Sequence, residues 1–313
     1  MQINEKILAA MAGSALALTM VSCGGGGGGA GSATGDTVTI GIKYDQPGLG
    51  QKVGEDFKGL DVDAARYVAK ELGFEGDKVI FKETPSAQRE TAIQGGQVAL
   101  IFATYSITDA RKEKVSFAGP YFIAGQDLLV SADNTEITGP DTMNGKTLCS
   151  VTGSTPAQKI KDEYATTVKL FEQDTYSKCV EALVGGTVDA VTTDNVILAG
   201  FAAQPQYAGK LKVVGKPFST ERYGVGLKKG DVELCNKVNA ALTKMVSDGS
   251  WQKAVEANVG PSGFKVDTAT GETRMIAIIV PISRAPIAAT TVSLMVIQKP
   301  AGRCTRQRAP LDH

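Results

Sequence analysis

The chain has 313 residues, 42% of them hydrophobic, enough to bury more than one core. Its 33 basic residues balance 33 acidic ones, so no basic excess argues for nucleic acid as a partner. The only histidine is the last residue, His313, which removes Ser–His and Cys–His nucleophile pairs and histidine-ligated metals from the body of the chain. No catalytic residue or metal ligand is assigned, and no cofactor is expected.

In chain order, residues 1–22 read as an export signal whose apolar run, Ile7 to Val21, is short for a membrane span. Met20-Val21-Ser22-Cys23 resembles a lipobox, which makes Cys23 the lipidated first mature residue; the alternative is plain cleavage nearby and release. The glycine-rich residues 23–36 then form a flexible tether. A strand is predicted over 38–43. Asp61 is predicted to cap a helix whose Ala64, Ala65, Val68 and Leu72 share one face, with Gly73 as its stop. Ser86 opens a short helix to Gln94, and 98–103 is strand-like.

Residues 126–131 form a strand expected to cross from a first lobe to a second. The second lobe begins with a strand over 145–151. Gly153-Ser154-Thr155-Pro156 follows, with Thr155 as N-cap and Pro156 in the first helical turn. The free N–H groups there form an anion seat. Residues 223–227 are expected to return to the first lobe, and a helix over 231–247 to close it. The resulting division is lobe one from 37–129 and 224–267, and lobe two from 130–223. Residues 272–313 look foreign to the rest, with six basic and two acidic residues. Pro281, Arg284 and Pro286 interrupt their apolar stretch and argue against a membrane helix. They read as a frame-shifted or unrelated extension, or as a disordered tail.

An internal repeat supports two lobes of similar plan. Ala92-Ile93-Gln94-Gly95-Gly96-Gln97-Val98 returns in outline as Ala182-Leu183-Val184-Gly185-Gly186-Thr187-Val188. Each copy reads as a helix end, a Gly-Gly stop and a buried strand. Thr104, Ser106 and Arg111 lie past the first strand; Thr192, Thr193, Asp194 and Asn195 lie past the second. Ligands of open α/β sheets sit beyond the carboxyl ends of strands. Two facing ends would place an arginine on one wall of a cleft and an aspartate on the other, the complement of an α-amino acid.

The stretch from Ser106 through Thr108 and Arg111 to Phe117, Pro120 and Tyr121 resembles the signature of the family 3 extracellular solute-binding proteins, amino-acid receptors of ABC importers. The run Gly41-Ile42-Lys43-Tyr44-Asp45-Gln46-Pro47-Gly48-Leu49-Gly50 is similar to the actinobacterial glutamate-binding branch of that family. The resemblance covers about Val38 to Phe264 and implies a type II periplasmic-binding-protein fold: two α/β lobes, a ligand cleft and a two-strand hinge. It implies Arg111, Thr104, Ser106, Ser154 and Thr155 for the ligand's α-carboxylate and Asp194 for its ammonium group. Arg89 and Lys43 are the candidate cations for a side-chain carboxylate. Tyr44 or Tyr105 is the candidate aromatic clamp.

Export makes disulfides permissible. Cys149 and Cys179, on a strand and a helix of lobe two, are expected to pair; Cys235 and Cys304 either pair or stay free. The expected protein is a monomeric, lipid-anchored receptor on the outer face of the cell membrane. It binds a polar amino acid, foremost L-glutamate, and delivers it to ABC permease subunits. The alternatives are a glutamine or other polar amino-acid receptor, a sensory lipoprotein, or an enzyme on the same scaffold.

Overall fold

The computed structural model describes residues 35–164 and 167–266. The export signal, Cys23, the tether up to Ala33 and Thr34, Cys304 and the tail all lie outside the described residues.

The elements in chain order are strands β1 (Val38–Ile42), β2 (Asp45–Gln46), β3 (Gly50–Val53) and β4 (Asp56–Lys58), helix α1 (Leu60–Glu71), β5 (Val79–Glu83), α2 (Arg89–Gln94), β6 (Leu100–Ile101), α3 (Asp109–Lys112), β7 (Ser116–Ala124) and β8 (Gln126–Ser131). They continue with β9 (Thr147–Val151), α4 (Pro156–Glu163), β10 (Lys169–Gln173), α5 (Tyr176–Val184), β11 (Ala190–Asp194), α6 (Asn195–Ala202), β12 (Leu211–Val213), β13 (Glu221–Leu227), α7 (Val232–Ser247) and α8 (Ser250–Asn258).

These build two five-stranded sheets of one plan, β5-β1-β6-β13-β7 and β10-β9-β11-β8-β12, plus a small β2-β3-β4 sheet. In each large sheet the third strand runs parallel to the second and antiparallel to the fourth. The internal repeat supplies that third strand twice. Gln97 N donates to Ala92 O and Thr187 N to Ala182 O, both at about the same length (2.9 and 2.8 Å). Gly96 and Gly186 provide the left-handed turn between helix and strand, with φ of 65° and 72°.

β1 is buried along its whole length, as a parallel strand covered on both faces must be. α1 covers it with Ala64, Ala65, Val68 and Ala69 buried. Asp61 does not cap α1. Gly59 holds the cap position, and Asp61 is a fully buried residue inside the first turn. Its side chain is retained by two donors, Tyr121 Oη (2.6 Å) and Thr104 N (2.9 Å), because a buried carboxyl group without partners would be costly.

Residues 126–131 do not span the lobes. β8 pairs with β11 and β12 and belongs wholly to the second sheet. The chain crosses at Gly125, and returns between Val213 and Glu221, so the boundaries expected at 129/130 and 223/224 each move a few residues toward the N-terminus. The cause is the pairing of β8 with β11 and β12, and the crossing itself is tight. Gly125 exchanges backbone and side-chain bonds with Asn195, and a Cβ on it would come within 2.8 Å of Ser219 O.

Cys149 on β9 and Cys179 on α5 form a disulfide, Cα to Cα 5.5 Å, with both residues buried. It ties α5 to the centre of the second lobe. No described helix is long and apolar enough to cross a membrane.

Candidate functional site

The cleft between the sheets holds a narrow cavity lined by seven of the predicted residues: Arg89, Thr104, Ser106, Arg111, Ser154, Thr155 and Asp194. A larger space lies along the lobe seam around Pro47, Gly200 and Val259. It is lined by no charged side chain and cannot offset a zwitterion's charges.

Lobe one supplies the cations. Arg111 leaves the short helix α3, whose cap Thr108 accepts a hydrogen bond from Arg111 N at 3.2 Å. Its guanidinium donates to Ser106 O at 2.9 Å and reaches Gly153 O across the cleft at 3.5 Å. Glu90 Oε1 stands 3.5 Å from Nε. Arg89 opens α2, is only 3% exposed, and its Nε has no hydrogen-bond partner. Both guanidiniums lie over the Tyr105 ring, 5.1 and 4.9 Å from its centroid. Burial first, and then the Arg111 charge, pull the Arg89 pKa below its ordinary value. An anion in the cavity would relieve both causes.

Lobe two supplies the acid. Asp194 ends β11, and its Oδ2 accepts from Tyr223 Oη of β13 in lobe one at 2.6 Å. Its carboxylate makes no capping bond to α6, although it occupies the cap position. Burial, reinforced by the Glu221 charge, raises its pKa to about 7; the Tyr223 bond and the two arginines oppose the rise. Ser154 and Thr155 line the wall before α4, and Thr155 likewise makes no side-chain cap. Its hydroxyl instead accepts from Gln126 Nε2 at 3.4 Å.

Thr104 is the one described non-glycine residue with positive φ, 47°. That conformation is disfavoured for a β-branched residue. Asp61 holds its N–H, and its hydroxyl donates to Ala103 O at 2.7 Å, with Gln46 Oε1 3.2 Å away as the alternative acceptor.

Two predicted residues do not line the cavity. Lys43 is 0% exposed, and its ammonium lies 3.0 Å from Asp45 Oδ1. The chain bends at Tyr44, between β1 and β2, and the Asp45 carboxylate takes the ammonium in place of a ligand. Tyr44 turns away, donates to Phe81 O at 3.2 Å and packs on Phe57. Tyr105, the alternative clamp, is buried beneath the arginines and donates to Glu90 Oε1 at 2.8 Å.

Gln46, Ser86, Gln126, Tyr176, Thr193 and Ile197 line the cavity without having been assigned to it. Gln46 and Thr193 lie next to residues already singled out past their strands. Gln126 Oε1 and Gln46 Nε2 have no partner, leaving one acceptor and one donor for a ligand. Tyr176 carries no local signal; only the docking of α5 brings it in. Among the described residues no cluster of three or more His, Cys, Asp or Glu could hold a metal ion.

The model of the bacterial extracellular solute-binding proteins, family 3, matches residues 38–261. The chain belongs to that family. The glutamate-binding protein GluB of Corynebacterium efficiens is 47% identical over 280 residues, 85% of this chain and 94% of that one. The ABC transporter glutamine-binding protein GlnH of Bacillus subtilis is 36% identical over 220 residues, 70% of this chain and 79% of its own length. Among solved structures, an ancestral arginine-binding protein bound to glutamine superposes with a TM-score of 0.67 at 35% identity, covering 72% of this chain and 99% of that one. An ancestral amino acid-binding protein that is a precursor of cyclohexadienyl dehydratase gives 0.64 at 30%, covering 72% and 95%. The two-lobed type II fold expected from the signature is thus that of this solute-binding family, and the chain is a receptor for amino acids.

Proposed function

We propose that this family 3 receptor captures L-glutamate outside the cytoplasm and presents it to the permease subunits of an ABC importer, held to the membrane through a lipid on Cys23. The observation that carries the ligand assignment is Arg89. A guanidinium almost wholly buried, with an unpartnered Nε and a second arginine beside it, requires an anion. The charged side chains lining the cavity are Arg89, Arg111 and Asp194. Two carboxylates and one ammonium group match them one for one. Arg111, with the Ser106, Ser154 and Thr155 hydroxyls, receives the α-carboxylate bidentately. Asp194 and Gln126 Oε1 receive the ammonium group, and Arg89 with Gln46 Nε2 receives the side-chain carboxylate. The relatives named for glutamate support the same reading.

Glutamine is the second reading, favoured by the two free amide ends of Gln46 and Gln126 and by the glutamine-binding relatives. Neutral glutamine would leave Arg89 without a counter-charge. An enzyme on the same scaffold would need a positioned acid or base. Asp194 is the candidate, and here Tyr223 already bonds it. Calorimetry against L-glutamate, L-glutamine, L-aspartate and L-arginine tests the assignment. Glutamate is expected to bind at least about tenfold tighter than glutamine, about 1.4 kcal/mol. Equal or tighter glutamine binding overturns it, and turnover of any of the four would favour the enzyme.

A further inference from the structure

Lys43 and Asp45 have no place in the ligand contacts, yet they are the most completely buried charge pair described, 0% and 11% exposed on their side chains. They sit at the entrance to the small sheet of lobe one, directly before the cavity residue Gln46. The free oxygen of Asp45 faces the other lobe. Asp45 Oδ2 accepts hydrogen bonds from Tyr176 N at 2.8 Å and from Ser177 N at 3.3 Å, the first two amides of α5.

We infer that Asp45, neutralised by Lys43, is a positioning residue that latches lobe one onto the N-terminus of α5 and thereby holds Tyr176 in the cavity wall. α5 is suited to the role, since the Cys149–Cys179 disulfide anchors it to β9. A pull on its first turn is therefore a pull on the whole second lobe. The first amides of a helix have no intrahelical acceptors and carry its positive end, so a carboxylate is their natural partner. Tyr176 lines the cavity and lies within hydrogen-bonding reach of Ser154 and Thr193. The contact thus runs from Lys43 through Asp45 and α5 to two walls of the site.

The pair is built to release as well as to hold. Both members belong to lobe one, so opening the cleft strips Asp45 only of its two amide partners, which water can replace. Its lysine stays with it. The latch therefore biases closure without locking it, and its effect falls on ligand escape rather than capture.

This inference rests on the receptor reading above, and its test separates the two. The intact protein is compared with Asp45→Ala, which removes the acceptor oxygen, and with the double variant Lys43→Met/Asp45→Ala, which leaves no buried charge unpaired. For both variants, glutamate affinity is expected to fall about tenfold. The off-rate should carry the change, with the on-rate within about twofold of wild type. Amide exchange without ligand is read at Tyr176 and Ser177, which should be protected in the wild type and lose that protection in both variants. The double variant should melt above the single one, in which Lys43 is left buried without a counter-charge, yet share its faster off-rate, which a merely structural loss would not allow. Unchanged off-rates, or protection at both amides that survives removal of the Asp45 charge, overturn the latch. If the wild type binds none of the tested amino acids, the receptor assignment to glutamate fails, and the exchange comparison still decides the latch.

Discussion

Tyr223 and Asp194 join the two lobes through one hydrogen bond, 2.6 Å from phenol oxygen to carboxylate, inside the cleft. Tyr223 belongs to the first sheet and Asp194 to the second, so the bond ties one lobe to the other. The same carboxylate is the proposed seat of the ligand's ammonium group, so closure and recognition share one residue.

Tyr223→Phe should keep the fold, because the ring packing on Phe122 remains. Hydrogen bonds to charged groups contribute about 1.5–3 kcal/mol. Glutamate affinity should therefore fall by roughly tenfold or more, as calorimetry would read it. An affinity within twofold of wild type would detach Tyr223 from closure.

The carboxyls of Asp194 and Asp61 are held up to about 7 and about 6, in both cases first by burial. A carboxyl raised on folding binds more protons folded than unfolded. Its contribution to stability therefore falls as pH rises from the ordinary carboxylate range, near 4, through its folded value. Binding has the opposite sign, since an ammonium ligand needs Asp194 ionised. Between pH 7 and pH 5, glutamate affinity should drop. Over the same range, the melting midpoint of unliganded protein should rise relative to that of Asp194→Asn. An affinity flat across this range would remove Asp194 from the ammonium site.

Arg111→Ala should leave circular dichroism unchanged and weaken binding by about 3 kcal/mol or more, the usual cost of stranding a buried charge. Arg89→Gln should instead narrow the preference for glutamate over glutamine while leaving both measurable. Equal losses for the two ligands in Arg89→Gln would place Arg89 on the α-carboxylate.

Gly153 has φ 78°, and a Cβ there would come within 2.7 Å of Ala87 Cα on the opposite lobe. Gly153→Ala is expected to hinder closure more than folding. Scattering with saturating glutamate should report a larger radius of gyration than for wild type. An unchanged radius and affinity would mean the lobes need not approach this closely.

Thiol counting on exported protein should find Cys149 and Cys179 blocked until reductant is added. Their sequence separation of 30 residues corresponds to about 3–4 kcal/mol in the chain-entropy account. Cys149→Ala/Cys179→Ala should therefore melt well below wild type, and free thiols at both positions would contradict the bond.

Local signals along the chain sufficed for the plan of the fold. The Gly95-Gly96 and Gly185-Gly186 stops recur because a helix must end before a strand can begin, and glycine alone enters the left-handed turn freely. The strands after those stops carried Thr104, Ser106 and Asp194 to the cleft, since strand ends in this architecture face the ligand. The Lys43–Asp45 pairing was not legible in this way: Lys43 is expected at the ligand, and the bend at Tyr44 brings it to Asp45 instead.

Contacts between distant segments decided the rest. Whether 126–131 crosses or stays depended on β11 and β12 as partners, which lie far along the chain. Asp61 became a buried acceptor because Tyr121 and Thr104 fold over it. Tyr176 entered the cavity wall because α5 docks there, pinned by the disulfide on one side and by Asp45 on the other. The sequence by itself determined two lobes and the arginine and aspartate that face each other. Only tertiary packing decided which remaining polar groups reach the ligand, because a side chain's nearest partner is set by whatever segment the fold brings beside it.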